Sequence, residues 1–78
     1  MEAASDILGE FVKQQRGLLG LTQPELASKA GVGLRFVREL EAGKPTLQMH
    51  KVNQVLLLFG YELGAMPINR NELMDEAG

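Results

Sequence analysis

Arg35 and Arg38 lie three residues apart in a short segment that also carries the apolar residues Val37 and Leu40. A guanidinium is a planar fork of N–H donors, matched to paired acceptors such as two phosphate oxygens or the O6 and N7 atoms of a guanine edge. Solvation alone would also satisfy an exposed arginine pair, so the pair by itself leaves base contact, phosphate contact and a plain charged surface open. Thr22 and Gln23 stand just before Pro24-Glu25, at the start of a helical pattern. Backbone N–H groups at a helix start have no partner within the helix, and the helix dipole places positive charge there, so a side-chain amide at that point can help to hold a phosphate. Arg16 and Lys44 flank this stretch, with Lys13 nearby. Catalytic chemistry finds less to work with. His50 is the sole histidine and cysteine is absent, so no nucleophile–base pair can be drawn and His50 has no second ligand at metal spacing. Neither an enzyme nor a bound metal or cofactor is expected.

The net charge of −2 is unevenly distributed, and its distribution matters more than its sum. Residues 1–12 carry Glu2, Asp6 and Glu10, a charge of −3. Residues 13–51 carry seven Lys and Arg against Glu25, Glu39 and Glu41, a charge of +4, and residues 52–78 return to −3. A basic centre lies between acidic ends. At 78 residues with 45% hydrophobic content, the chain fits one globular domain close to the lower size limit for a self-sufficient core. Association with a second copy is one way for such a domain to bury more surface. The longest apolar run, Val55 to Phe59, falls far short of the roughly 20 residues that span a bilayer. The acidic start lacks the layout of a signal peptide, and the lack of cysteine suits a reducing compartment, so a cytoplasmic protein with no membrane partner is expected.

Four helices must position these residues. The spacing of Ile7, Leu8, Phe11, Val12 and Leu18 predicts a helix from about Asp6 to Leu18, with Ser5 as its cap. Thr22-Gln23-Pro24-Glu25 is a capping box with proline in the first turn, and Gly31 ends that second helix. A third helix is expected from about Gly33 to Glu41, with Val37 and Leu40 inward. A fourth opens at Thr46, turns Met49, Val52, Val55, Leu56 and Phe59 inward and stops at Gly60. Tyr61, Leu63 and Ala65 then alternate with Glu62, Gly64 and Met66, the pattern of a short strand. A lone strand has unpaired backbone groups, which a second copy could satisfy. Leu57 and Leu58 lie off the inner stripe of the fourth helix and leave it apolar on too many sides for a monomer surface. Leu57, Leu58, Tyr61, Leu63 and Ala65 are therefore the expected dimer contacts. The competing reading has residues 61–66 tucked onto the domain's own core.

The run from Gln23 to Glu41 has the restrictions of two short helices crossing steeply through a brief turn: small Ala27, Gly31 at the turn, and the apolar anchors Val32, Val37 and Leu40. With Leu21-Thr22-Gln23-Pro24-Glu25-Leu26-Ala27, Ala30-Gly31-Val32 and Val37 through Thr46, the chain resembles the lambda-repressor/Cro-like, or Xre, helix-turn-helix family over about residues 6–60. Within that family the ending Leu58-Phe59-Gly60-Tyr61-Glu62-Leu63 is most similar to the Hip-type antitoxin repressors.

The resemblance implies an all-α bundle of four to five helices followed by a short C-terminal β-strand that pairs across a dimer. The expected division is an N-terminal arm over 1–5, the helix-turn-helix domain over 6–60, a dimerisation strand over 61–66 and a flexible acidic tail over 67–78. It implies a sequence-specific repressor that binds double-stranded DNA at an inverted-repeat operator, and a Hip-type kinase toxin as a further partner. The alternatives are a stand-alone regulator without a toxin and a protein-interaction adaptor that does not bind DNA. The third helix would enter the major groove, with Leu34, Arg35 and Arg38 toward the bases. Arg16, Thr22, Gln23 and Lys44 would hold phosphates, Gln23 braced against the recognition helix. Glu41 resembles the family's acidic residue at the end of that helix, which is more often structural. Phe36 departs from the small or hydroxyl residue common at its position and has two readings, packing on the bundle or touching a thymine methyl group. His50 is expected on the surface or at an interface.

Overall fold

The computed structural model describes residues 4–67. The clearest local signal is also the best-formed element boundary. Thr22 has extended backbone geometry, its hydroxyl oxygen accepts from Glu25 N–H at 3.2 Å, and the Glu25 carboxylate accepts from Thr22 N–H at 2.9 Å. These reciprocal bonds satisfy two donors that the helix leaves unpaired at its start. The helix they open is α2, Gln23–Ala30, following α1, Ala4–Leu18. Gly31 closes α2 in the left-handed region at φ 75°, which non-glycine residues adopt only under strain, and its N–H reaches back to Ala27 O at 3.0 Å. The reversal leads directly to α3, Leu34–Glu41, and then to α4, Met49–Leu58.

The buried core consists of Val12 of α1, Leu26 and Ala27 of α2, Val37 and Leu40 of α3, and Val52, Val55 and Leu56 of α4. Helix α3 packs on both α1 and α2, and α2 also packs on α4. The α2–α3 hairpin is thus held by α1 on the α3 side and by α4 on the α2 side. No helix of the described residues is long and apolar enough to cross a membrane.

Several boundaries differ from the sequence expectation. Helix α1 begins at Ala4, so Ser5 lies inside the helix instead of capping it, and the arm expected over 1–5 is helical at its last two residues. Helix α4 starts at Met49, not Thr46, and Met49 is exposed. Leu47 supplies the reason: it packs against the core ahead of the helix and fills the place expected of Met49. Ile7 and Leu18 share the helical spacing of α1 but point outward.

Residues 61–67 form no strand in the single chain. The segment instead turns back along the domain. Tyr61 sets its ring edge-on to Phe11, with centroids 4.8 Å apart, and Leu63 N–H donates to Asn53 Oδ1 at 2.8 Å. Leu63 itself is half-buried against the core, whereas Leu57, Leu58, Tyr61 and Ala65 are exposed. Residues 68–78, most of the expected acidic tail, lie outside the described residues, as do residues 1–3.

Candidate nucleic-acid interface

Three helices meet at one carboxylate. Glu41, at the C-terminal end of α3, is 4% exposed, and a buried charge is stable only when paired and hydrogen-bonded. Its partners come from α1 and from the start of α2. From α1, Arg16 Nε donates to Glu41 Oε2 at 2.7 Å and Arg16 Nη2 donates to Oε1 at 3.0 Å, a bidentate pair. At the start of α2, Gln23 Nε2 donates to the same Oε1 at 3.0 Å. Arg16 Nη1 also donates to Leu21 O at 3.0 Å, in the connection between α1 and α2. The hydrogen bond to Glu41 holds the Arg16 guanidinium even more firmly protonated than usual. The network fixes the end of α3 to the start of α2 and orients the Gln23 side chain.

Arg16 was expected as a phosphate ligand, but three of its N–H groups are engaged inside the domain and its side chain is only 23% exposed. In the single chain these bonds tie α1 to the end of α3 and to the connection before α2. Gln23 remains half-exposed at the start of α2, with its amide bonded to Glu41 of α3. The Thr22 hydroxyl is engaged in the cap, where its oxygen accepts from Glu25 N–H.

On α3 the outward residues separate by exposure. Arg35 has a side chain 90% exposed, and Arg38 is exposed with no ion-pair partner among the described residues. Leu34 is half-buried and packs on the core, so only part of it faces outward. The two readings of Phe36 resolve toward packing: it is half-buried against the core, with the Lys51 ammonium 6.0 Å from its ring centroid. His50 is exposed in the first turn of α4. Among the described residues, no group of three or more His, Cys, Asp or Glu side chains could hold a metal ion.

Two residues matter here that the sequence reading did not single out. Glu39 Oε2 accepts from Lys44 Nζ at 2.9 Å and lies 3.7 Å from Arg35 Nε. The Lys44 hydrogen bond, helped by the charges of Lys44 and Arg35, holds the Glu39 carboxyl below the ordinary carboxylate range. The i,i+4 spacing of Arg35 and Glu39 was the available signal. Gly9 of α1 is buried, and a Cβ built there would sit 2.8 Å from the backbone oxygens of both Leu40 and Glu41. Only glycine lets α1 approach the end of α3 so closely. A glycine in a helix interior was the sign to follow.

Comparisons with known proteins place the sequence among helix-turn-helix proteins. The helix-turn-helix family model matches residues 12–65, more than half of the chain. An uncharacterized HTH-type transcriptional regulator of Sinorhizobium fredii, y4mF, is 55% identical over 53 residues, covering 68% of this chain and 70% of that protein. No solved structure matches.

Proposed function

Because the chain belongs to the helix-turn-helix family, we propose that it is a sequence-specific DNA-binding transcriptional repressor that acts as a homodimer. The observation that carries this reading is the pair of exposed arginines on α3, a helix held in place from both sides through Glu41. Arg35 and Arg38 read base edges, with Leu34 contributing apolar contact from its exposed part. Gln23, the Thr22 hydroxyl and Lys44 hold phosphates and set the register. The similarity to y4mF, named as an HTH-type transcriptional regulator, supports the same direction. The role is one of binding, with no catalytic step, and its place is the cytoplasm.

The dimer is supported by the exposure of Leu57, Leu58 and Tyr61 on one small domain. In this reading residues 61–66, including Leu63 and Ala65, pair with their counterparts in the second chain. Two recognition helices related by a two-fold axis then meet an inverted repeat whose half-sites lie about 10 base pairs apart. Selection of duplexes from a random pool tests this: recovered sequences should be inverted repeats. A pool that shows no enrichment would favour the adaptor reading, in which the fold serves protein contacts only.

The antitoxin role is the finer part of the proposal. The ending Leu58-Phe59-Gly60-Tyr61-Glu62-Leu63 supports a Hip-type context, in which the chain also binds a kinase toxin along α1, α4 and the C-terminal residues. Co-expression with the product of the adjacent gene and joint purification test it. No complex at micromolar concentration would leave a stand-alone regulator.

A further inference from the structure

Helix α3 has two acidic residues, and they behave differently. Glu41 is buried and fully committed to Arg16 and Gln23. Glu39 has a side chain 29% exposed and lies between two cations of the proposed DNA face. Its Oε2 takes both, Lys44 at 2.9 Å and Arg35 at 3.7 Å. Glu39 thus alone gives the outer side of α3 negative charge, next to where phosphates would have to come.

We propose that Glu39 is a selectivity residue, whose carboxylate holds Arg35 and Lys44 away from the phosphates of DNA in general and releases them where base contacts compensate. The inference rests on the DNA-binding reading above. Contacts to phosphates supply affinity that carries no sequence information. On unrelated DNA they are almost all that holds a complex together, so each cation already paired with Glu39 must first be withdrawn from it, and the freed carboxylate then faces phosphate. At a matched site the register is set by base edges, and a carboxylate on the groove side can accept from the amino group of a cytosine. The penalty therefore falls harder on unrelated sequence. Exposed ion pairs are weak, so the effect is a graded one.

The test compares Glu39→Gln with the full chain on two probes of about 20 base pairs, long enough for two half-sites: a duplex enriched from a random pool and one of unrelated sequence. Glu39→Gln should bind the unrelated duplex about two- to fivefold more tightly, with a smaller gain on the enriched duplex and a salt dependence steeper by about one unit. Adding Lys44→Gln should remove the gain. Glu10→Gln makes the same change of net charge on α1, where Glu10 lies 3.6 Å from Lys13, and should not reproduce the shift. Unchanged or weaker binding of the unrelated duplex by Glu39→Gln, or an equal gain with Glu10→Gln, would overturn the inference while leaving DNA binding intact. A full chain that binds neither duplex would overturn the DNA-binding reading and this inference with it. Nuclear magnetic resonance of the free protein adds a readout without DNA. The Glu39 carboxyl should titrate below the ordinary range and move back toward it in Lys44→Gln; an ordinary value in both proteins would show that the hold does not exist in solution.

Discussion

Glu41 binds Arg16 through both carboxylate oxygens and shares one of them with Gln23, so a single buried residue joins α1, α2 and α3. Removing one partner of a buried pair leaves the other charge desolvated and unpaired, which typically costs about 3–5 kcal/mol. Arg16→Ala should therefore lower stability by about 3 kcal/mol, toward the lower end because the Arg16 side chain keeps some exposure. Chemical denaturation measures it. Replacing both partners with apolar residues, Arg16→Met with Glu41→Leu, should recover much of the loss, since the isolated charge is then gone. A loss confined to DNA affinity, with stability unchanged, would return Arg16 to the phosphate role.

Gly9→Ala is a second test of how α3 is seated. In an exposed helix interior, glycine to alanine stabilises by about 1 kcal/mol. Here the new methyl group meets the carbonyl oxygens of Leu40 and Glu41, backbone atoms that cannot rotate away. The sign should reverse, with a loss of about 1–3 kcal/mol from overpacking. Thermal unfolding followed by circular dichroism would read the direction directly.

The helix-turn-helix core was legible because its signals are local. The Thr22–Glu25 capping box, the turn at Gly31 and the inward Val37 and Leu40 all stand where the sequence places them. What sequence could not supply was the partner of a polar side chain distant in the chain. Arg16 lies 25 residues from Glu41, and nothing in the spacing says that this cation turns inward while Arg35 turns outward. The start of α4 was misplaced for a related reason. Thr46 is a plausible cap, but the packing of Leu47 delays the helix until Met49. Alternation at residues 61–66 shows an extended segment without showing whether its backbone partner is another strand or the Asn53 side chain.

The capping box predicts an acid-side change. Hydrogen bonds from the Thr22 backbone and hydroxyl region hold the Glu25 carboxyl below the ordinary range. A carboxyl depressed in the folded state contributes stability that is complete above its unfolded-state value and is lost as pH falls through its folded value. Unfolding midpoints measured from neutral pH downward should therefore drop in the acid range. Glu25→Gln, which can still cap but does not titrate, should flatten part of that slope. An identical slope in the variant would show that the cap does not respond to protonation.

Association should depend on the exposed leucines of α4. Leu57 is 62% exposed and contributes nothing to the core, so Leu57→Glu should leave the helical signal intact. Light scattering should report a dimer for the unaltered chain and a shift toward monomer for the variant. An undiminished dimer would exclude Leu57 from the interface.

The most direct measurement is the ratio of operator to scrambled-duplex binding for the full chain, Arg35→Ala and Arg38→Ala. Both side chains are exposed and outside the core, so their loss should not unfold the domain. If Arg38 reads a guanine, Arg38→Ala should weaken operator binding by about 1–3 kcal/mol, relax the preference at one base of each half-site and change scrambled binding far less. Arg35→Ala should act in the same direction. If both variants keep the ratio of the unaltered chain, α3 does not read sequence through its arginines, and the proposed recognition face is contradicted.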